Sequence, residues 1–410
     1  MDTGRLRKYA QLVVRAGCNV QKGQLLIVTC SVDTAYFGRL VQEAAYDAGA
    51  SEVRMDWIDD STTRLMYLRA ADNIFDYFPE WKVAKLKEQN SKDVVYLRIE
   101  SSDPDLLAGV DASRIKRGTT VMRTAIKEHD ELQMSNAFRW SLCAVPSQAW
   151  ASKVFPEMRP DIAVDVLWSH ILKGARADGT NPIADWERHK QNFTKRVSYL
   201  NEQNFSALRI TTGLGTDFTM GLVKNHTWIG GGDFDHNGEY FFPNIPTEEI
   251  FTMPDRNRAE GKVVISRPLS YYGVLVEGIV LTFKDGEVVE YSAEKNYETL
   301  AGIIETDKGS RRLGEIALVA NSSPISQMNT LFYNTLVDEN ASSHMALGRG
   351  YPTNIIGGEK MTNEEIAAMG GNDSILHVDF MFGTDDVRIV GIGQDGKETL
   401  FFEKGEYIEV

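Results

Sequence analysis

Apolar positions in the first half of the chain alternate between short continuous runs and stretches with helical spacing. The run 25–28 is continuously apolar, and 52–57, 94–99 and 140–145 are strand-like runs. The helically spaced stretches are 6–14, 37–48 and 113–135. Gly49 stands where a glycine commonly ends a helix. Strands that alternate with helices in this way predict an α/β domain with a mostly parallel sheet.

The pattern changes after a helix that is predicted to begin at Asn181-Pro182 and to end near Asn201. Short strand-like runs divided by glycines then follow, at 207–212, 217–222, 262–266, 275–276, 279–283 and 288–291. Asp285-Gly286 is a typical hairpin turn, and helices are expected over 296–304 and 325–332. This pattern of short strands, glycines and few helices predicts an α+β domain with an antiparallel, barrel-like sheet. We therefore expect an α/β domain over 1–200 and a catalytic domain over 201–410.

Composition and charge limit the compartments and binding partners that the protein can be expected to have. No window approaches the roughly 20 apolar residues of a membrane helix, and the N-terminus lacks the pattern of a secretory signal. The three cysteines are widely spaced and form no C-x-x-C pair, which fits a reducing compartment. A net charge of −14 argues against nucleic acid as a partner. We expect a cytoplasmic protein that binds neither nucleic acid nor membranes.

Familiar catalytic motifs are missing, and the strongest candidate chemistry is an H-x-D pair in the strand-like run 374–382. Alternate residues of a strand share a face, so His377 and Asp379 project together. For an isolated pair, a polar face turned to solvent is the usual explanation. Here Ile375 and Met381 share the face, which predicts that it is partly buried. A buried carboxylate requires a charge partner or a metal ion.

Further candidate ligands are spread over the second half. His344 lies in a predicted loop before the turn 348–351, Glu315 is the single acid of the apolar strand 313–320, and Glu249 lies in a proline-containing segment. Each residue alone is weak evidence for a site. Together, Glu, His and Asp are the ligand types that Zn, Mn or Co would use, and carboxylates can bridge two ions.

Four segments, in this order along the chain, resemble the aminopeptidase T family of dinuclear metalloaminopeptidases, which includes thermophilic and S-type aminopeptidases. They are NIPTEEIFTMPD around Glu249, LGEIALV around Glu315, DENASSHMALGRGYP around His344 and SILHVDFMFG around His377. The segment SQAWA at 147–151 is also similar to the family. Four ordered segments are far more specific than any one of them.

The resemblance implies five main metal ligands, namely Glu249, Glu315, His344, His377 and Asp379. Glu315 is the expected bridge between two divalent ions, which would be Zn, Co, Mn or Mg. Glu339, as a further ligand, and Tyr351 match positions in or beside the site. Glu249 is preferred to the adjacent Glu248 because it directly precedes the run 250–252. The family also implies a homodimer.

The expected activity is hydrolysis of the N-terminal residue from peptides with a free N-terminus, by a water activated between two metal ions. Glu315 or Glu339 would carry the proton to the leaving amine, and Tyr351 would stabilise the oxyanion. One alternative is a two-metal hydrolase of another bond, such as a phosphoester, although Arg349 is the only basic residue placed near the ligand segments. Another is a non-catalytic binding protein that keeps the scaffold.

Overall fold

The computed structural model describes residues 2–101, 103–271 and 273–408. The chain divides into two compact units: the first is Met1–Glu187 with Gly232–Pro246, and the second is Arg188–Gly231 with Thr247–Val410. After residue 231 the chain returns to the first unit for residues 232–246. The hydrophobic pattern did not predict this return. A boundary at residue 200 between separately folding domains stays a proposal.

Helices and strands alternate in the first unit, and strands dominate the second. The described α-helices are α1 (Thr3–Leu12), α2 (Ala35–Ala48), α3 (Asp60–Arg69), α4 (Glu80–Asn90), α5 (Ala112–Ala125), α6 (Lys127–Met134), α7 (Gln148–Val154), α8 (Pro160–Gly174), α9 (Pro182–Gln203), α10 (Tyr297–Ile304), α11 (Thr335–Asp338) and α12 (Asn363–Ala368). The described strands are β1 (Leu25–Ser31), β2 (Glu52–Ile58), β3 (Val94–Glu100), β4 (Arg139–Ala144), β5 (Ala207–Thr211), β6 (Asp217–Leu222), β7 (Ile229–Gly230), β8 (Asp233–Phe234), β9 (Tyr240–Phe241), β10 (Asn244–Ile245), β11 (Glu249–Thr252), β12 (Pro254–Val264), β13 (Leu269–Tyr271), β14 (Val274–Val276), β15 (Val280–Lys284), β16 (Glu287–Ser292), β17 (Leu313–Val319), β18 (His344–Gly348), β19 (His377–Met381), β20 (Arg388–Ile392), β21 (Glu398–Glu403) and β22 (Glu406–Tyr407).

The first unit is built on a parallel sheet, in which the strands pair in the order β10-β4-β3-β1-β2. The central strand β1 is buried along nearly its whole length, as expected of a parallel strand covered on both faces. Helix α2 ends at Gly49, whose φ of 102° is the left-handed conformation that glycine adopts without strain. The α/β prediction for this part of the chain is confirmed.

The second unit contains a large antiparallel sheet with the order β16-β15-β12-β6-β5-β20-β21-β22. Asp285 and Gly286 join β15 to β16, and both have positive φ, as the favoured two-residue hairpin turns require. The predicted antiparallel sheet and its Asp-Gly hairpin are therefore confirmed.

A separate antiparallel sheet in the second unit has the order β19-β18-β17-β11-β7. All seven residues of β17 are buried, which explains why the segment reads as a continuous apolar run with one acid. Most of the candidate ligands lie on this smaller sheet, so it is the element that positions the site.

One predicted helix is wrong. The segment 325–332 contains only the short 3-10 turn Ser326–Met328, because Asn329 follows with a left-handed φ of 45° and stops the helical path. Among the helices of the described residues, none is long and apolar enough to cross a membrane.

Candidate metal centre

Strand register brings the candidate ligands to one face of the smaller sheet. Glu315 on β17 lies opposite Ala346 on β18, which in turn lies opposite Asp379 on β19. Residues directly opposite each other in a sheet share a face, as do residues two apart on one strand. His344 is two residues before Ala346 and His377 two before Asp379, so all four polar side chains project from the same face.

Glu249 joins this face through the neighbouring strand β11. It lies two residues before Phe251, which is opposite Ala317, and Ala317 is opposite His344. Ala317 and Ala346 therefore stand in the middle of the polar face, and both are buried. Their small side chains leave the centre of the face open to the surrounding carboxylates and imidazoles.

The ligand atoms form two groups that share one carboxylate. Glu315 Oε1 lies 3.5 Å from His344 Nε2, which is 3.2 Å from Glu249 Oε2. Glu315 Oε2 lies 3.9 Å from His377 Nε2, which is 3.3 Å from Asp379 Oδ1. Within each group the potential ligand atoms all lie within 4.8 Å of one another. Glu315 thus offers one oxygen to each group, as a bridging carboxylate does.

Both imidazoles are oriented by backbone carbonyls. The Nδ1 of His344 is 3.0 Å from the carbonyl oxygen of Ser342, and the Nδ1 of His377 is 2.7 Å from that of Arg349. A carbonyl can only accept, so each Nδ1 carries a hydrogen and each Nε2 is the nitrogen available to a metal ion. Histidines that bind metals are commonly held in this way by their second ring nitrogen.

Two buried oxygens at the centre suit a cation. Glu249 Oε2 and Asp379 Oδ1 are buried, and among the residues the structure describes their close polar neighbours are the imidazole nitrogens of His344 at 3.2 Å and of His377 at 3.3 Å. Burial works against an ionised imidazole, yet the neighbouring Asp379 carboxylate and that of Glu315 raise the pKa of His377 to about 10. The cluster therefore attracts positive charge strongly, and its donors fit divalent metal ions.

The other two predicted residues lie beside these groups. Glu339 follows α11 in the 3-10 turn Glu339–Ala341 and belongs to neither group. Burial, followed by the charges of Glu249 and Asp379, raises the pKa of Glu339 well above its usual range. The ring of Tyr351 lies 5.0 Å from that of His377, between centroids. All the predicted site residues are therefore brought into one neighbourhood.

Two details of the sequence interpretation were wrong. His344 is the first residue of β18 rather than part of a loop, since its pairing with Met381 extends the sheet. Ile375 is 85% exposed and lies before β19, so it gives no sign of burial. The orienting carbonyls of Ser342 and Arg349 had no sequence signal, because every residue carries a carbonyl.

The choice between the two adjacent glutamates can be tested directly. Glu249 takes part in a ligand group, whereas Glu248 does not and is held through its backbone N–H, which donates to Asn340 Oδ1 at 2.6 Å. We expect Glu249→Gln to lower metal affinity by at least 10- to 100-fold, the range seen for residues that merely support a ligand. Glu248→Gln should retain the metal. Calorimetric metal titration of both variants measures the difference, and loss of binding in Glu248→Gln alone would reverse the assignment.

Comparison with known proteins is consistent with this geometry. A family model described as "Thermophilic metalloprotease (M29)" matches residues 2–407. The chain is 41% identical over 403 residues to aminopeptidase AmpS of Bacillus subtilis, with 98% of both chains covered, and 41% identical to aminopeptidase 2 of Geobacillus stearothermophilus, covering 98% of this chain and 97% of that one. The solved structure of wild-type AmpT from Thermus thermophilus is similar, with a TM-score of 0.93, 36% identity and 99% of both chains covered.

Proposed function

We propose that this chain, which belongs to the M29 family of thermophilic metalloproteases, holds two divalent metal ions in the two groups that share Glu315. The chain is a metal-dependent aminopeptidase, as its family and its named relatives over the whole length establish. Its substrates are peptides, from which it removes the N-terminal residue. The proposal adds which side chains hold the metal and how many ions there are.

The shared carboxylate is the observation that carries the two-ion proposal. Each oxygen of Glu315 is directed to a different histidine and a different second carboxylate. A single ion would leave one group of buried, partly unpartnered oxygens without a counter-charge, which is costly. Two ions neutralise both groups and use every ligand atom in them.

Divalent ions bound here would supply Lewis-acid polarisation of the scissile carbonyl and lower the pKa of a water molecule. The chain's own residues then bind and orient. His344 and His377 present Nε2 because their Nδ1 hydrogens are held by carbonyls. Glu339, which belongs to neither group, is the carboxylate that takes up the proton and passes it to the leaving amine. Tyr351 donates its hydroxyl hydrogen to the developing oxyanion.

The free amine of the substrate explains why only the first peptide bond would be cut. Glu339 is a buried carboxylate beside the metal groups that belongs to neither of them, so its charge is left to attract a cation. An α-ammonium group is attracted there, whereas a blocked N-terminus brings no positive charge. Arg349, the basic residue near the ligand segments, has an exposed side chain and contributes its backbone carbonyl. That arrangement gives no support to a phosphoester hydrolase.

The reaction and the number of ions can be tested together. Chelated protein should be inactive on aminoacyl p-nitroanilides and regain activity with Zn, Co, Mn or Mg. N-terminally blocked versions of the same substrates should stay uncut. Metal content of the dialysed, active protein should be two ions per chain. Full activity at one ion per chain would overturn the two-ion proposal, and cleavage of blocked substrates would overturn the role given to the free amine.

We also propose, from the family resemblance, that the enzyme is a cytoplasmic homodimer. The three cysteines Cys18, Cys30 and Cys143 are buried free thiols, as suits a reducing compartment. Light scattering coupled to gel filtration should give twice the mass of one chain, and a monomeric mass over the working concentration range would contradict the dimer.

A further inference from the structure

A cavity of about 190 Å³ adjoins the candidate metal centre within the second unit. One end is lined by His377 and Asp379 themselves, and Met381 of the same strand also contacts it. The opposite walls are strand β13, with Pro268 before it, and the segment 331–335. A group held in this cavity would therefore lie directly beside the atoms where the peptide bond is broken.

The wall formed by β13 is fixed to the strand that carries the ligands. The backbone N–H and the hydroxyl of Ser266 both donate to the carbonyl oxygen of Met381, at 2.8 Å and 3.1 Å. This double contact ties the chain just before β13 to the end of β19. Leu269 on β13 is buried and Ser270 is half-buried, and both residues line the cavity.

The second wall is fixed by a buried carboxylate next to the site. Asp338 accepts hydrogen bonds from the backbone N–H groups of Phe332 at 2.7 Å and Asn334 at 2.9 Å. Between them, Tyr333 has a φ of 56°, which is rare for a bulky residue and is retained where the surroundings enforce it. Leu331, Tyr333 and Thr335 are thereby held against the cavity.

The lining combines hydrocarbon with polar groups. Pro268, Leu269, Leu331 and Met381 supply apolar surface, and Ser270 supplies a hydroxyl. The carboxylate oxygens of Asp338 are already engaged by backbone donors. The volume exceeds the roughly 150 Å³ of a dry cavity that holds one benzene molecule, and it is below that of sites for drug-sized ligands. It matches one amino-acid side chain.

We propose that this cavity receives the side chain of the substrate's N-terminal residue and selects side chains of the size of leucine, methionine or phenylalanine. The assignment rests on the proposed function, since the N-terminal residue carries both the amine and the scissile carbonyl to the metal groups. Its side chain branches from the carbon atom that bears both of these groups, so it enters the cavity lined by His377 and Asp379. Glycine and alanine leave the cavity unfilled.

The test compares kcat/KM for Gly-, Ala-, Leu-, Phe- and Trp-p-nitroanilides, in which the leaving group is constant. We expect the leucine and phenylalanine substrates to exceed alanine by about 10- to 100-fold, within the range found for hydrophobic pockets. Ser270→Phe fills the cavity and should remove most of this preference while glycine and alanine change little. Leu331→Ala enlarges it and should shift the preference towards tryptophan. Ser292→Phe, at an exposed position on β16, is the matched control and should keep the original profile.

The outcomes separate the subsite from the reaction itself. If the unaltered protein cuts none of the substrates with any metal, the proposed function fails and the subsite fails with it. If it cuts them but Ser270→Phe and Leu331→Ala keep the control's profile, the subsite alone is wrong. Dipeptide amides varied at the second position provide the last check: a preference that shifts only there assigns the cavity to the residue after the cut bond. Should Ser270→Phe not fold, Leu331→Ala decides.

Discussion

Glutamine in place of Glu315 is expected to lower kcat/KM by at least about 1000-fold, because metal ions contribute several kcal/mol to such reactions and each 1.36 kcal/mol is tenfold in rate. The substitution keeps the shape of the side chain. It replaces one of the two terminal oxygens by an amide NH₂ group, which cannot serve as a ligand, and it removes the negative charge shared by both groups. Both halves of the centre are therefore weakened by one change.

Three measurements test this prediction, namely activity, metal content and thermal stability. The variant should lose bound metal on dialysis, as measured by elemental analysis. The metal-free variant should melt no lower than the metal-free parent, since burial and the neighbouring carboxylates make the Glu315 charge unfavourable without a cation. Glu290→Gln, at an exposed position of β16, is the matched control. It should keep both the metal content and the melting temperature of the parent. A Glu315→Gln enzyme with normal turnover would exclude the shared-carboxylate centre.

Elements with strong periodicity could be predicted from the sequence, whereas short or strained ones could not. The buried strands β1 and β3 read as continuous apolar runs because both of their faces are covered. Strands β7 and β10 have two residues each and leave no periodic signal. The segment 325–332 is apolar enough to suggest a helix, but the left-handed turn at Asn329 is a backbone property that composition does not reveal.

The candidate ligands could be named from the sequence, whereas their arrangement in space could not. The H-x-D spacing placed His377 and Asp379 on one face, and the family resemblance supplied the rest of the ligand set. The role of Ala346 depends on register: it is opposite Glu315 on one side and Asp379 on the other. A single sequence does not reveal such pairing across strands. The substrate cavity is likewise formed by segments that are far apart in sequence, and it emerges only from their packing.

Removing one partner of the buried ion pair in the first unit should cost more stability than breaking an exposed pair of the same unit. Arg139 is almost fully buried, and its guanidinium donates to Asp235 at 2.7 Å, to Gln24 at 2.6 Å and to the carbonyl of Cys18 at 3.2 Å. The second oxygen of Asp235 accepts from the backbone N–H groups of Asn237 and Glu239, both at 2.9 Å. The pair therefore fixes the turn that follows β8 to the central strands.

Asp235→Ala is expected to lower the free energy of unfolding of the first unit by about 3–5 kcal/mol, because it leaves a buried guanidinium charge without its partner. In calorimetry this corresponds to a fall in melting temperature on the order of 10 °C for a unit of this size. Asp161→Ala breaks the exposed pair with Arg159 and should cost at most about 1 kcal/mol. The double variant Arg139→Met with Asp235→Leu should regain much of the loss, since it removes both charges together.

A loss from Asp235→Ala no larger than that from Asp161→Ala would show that other groups stabilise the buried guanidinium charge of Arg139. A double variant as unstable as Asp235→Ala would assign the loss to the turn that Asp235 holds rather than to the unpaired charge.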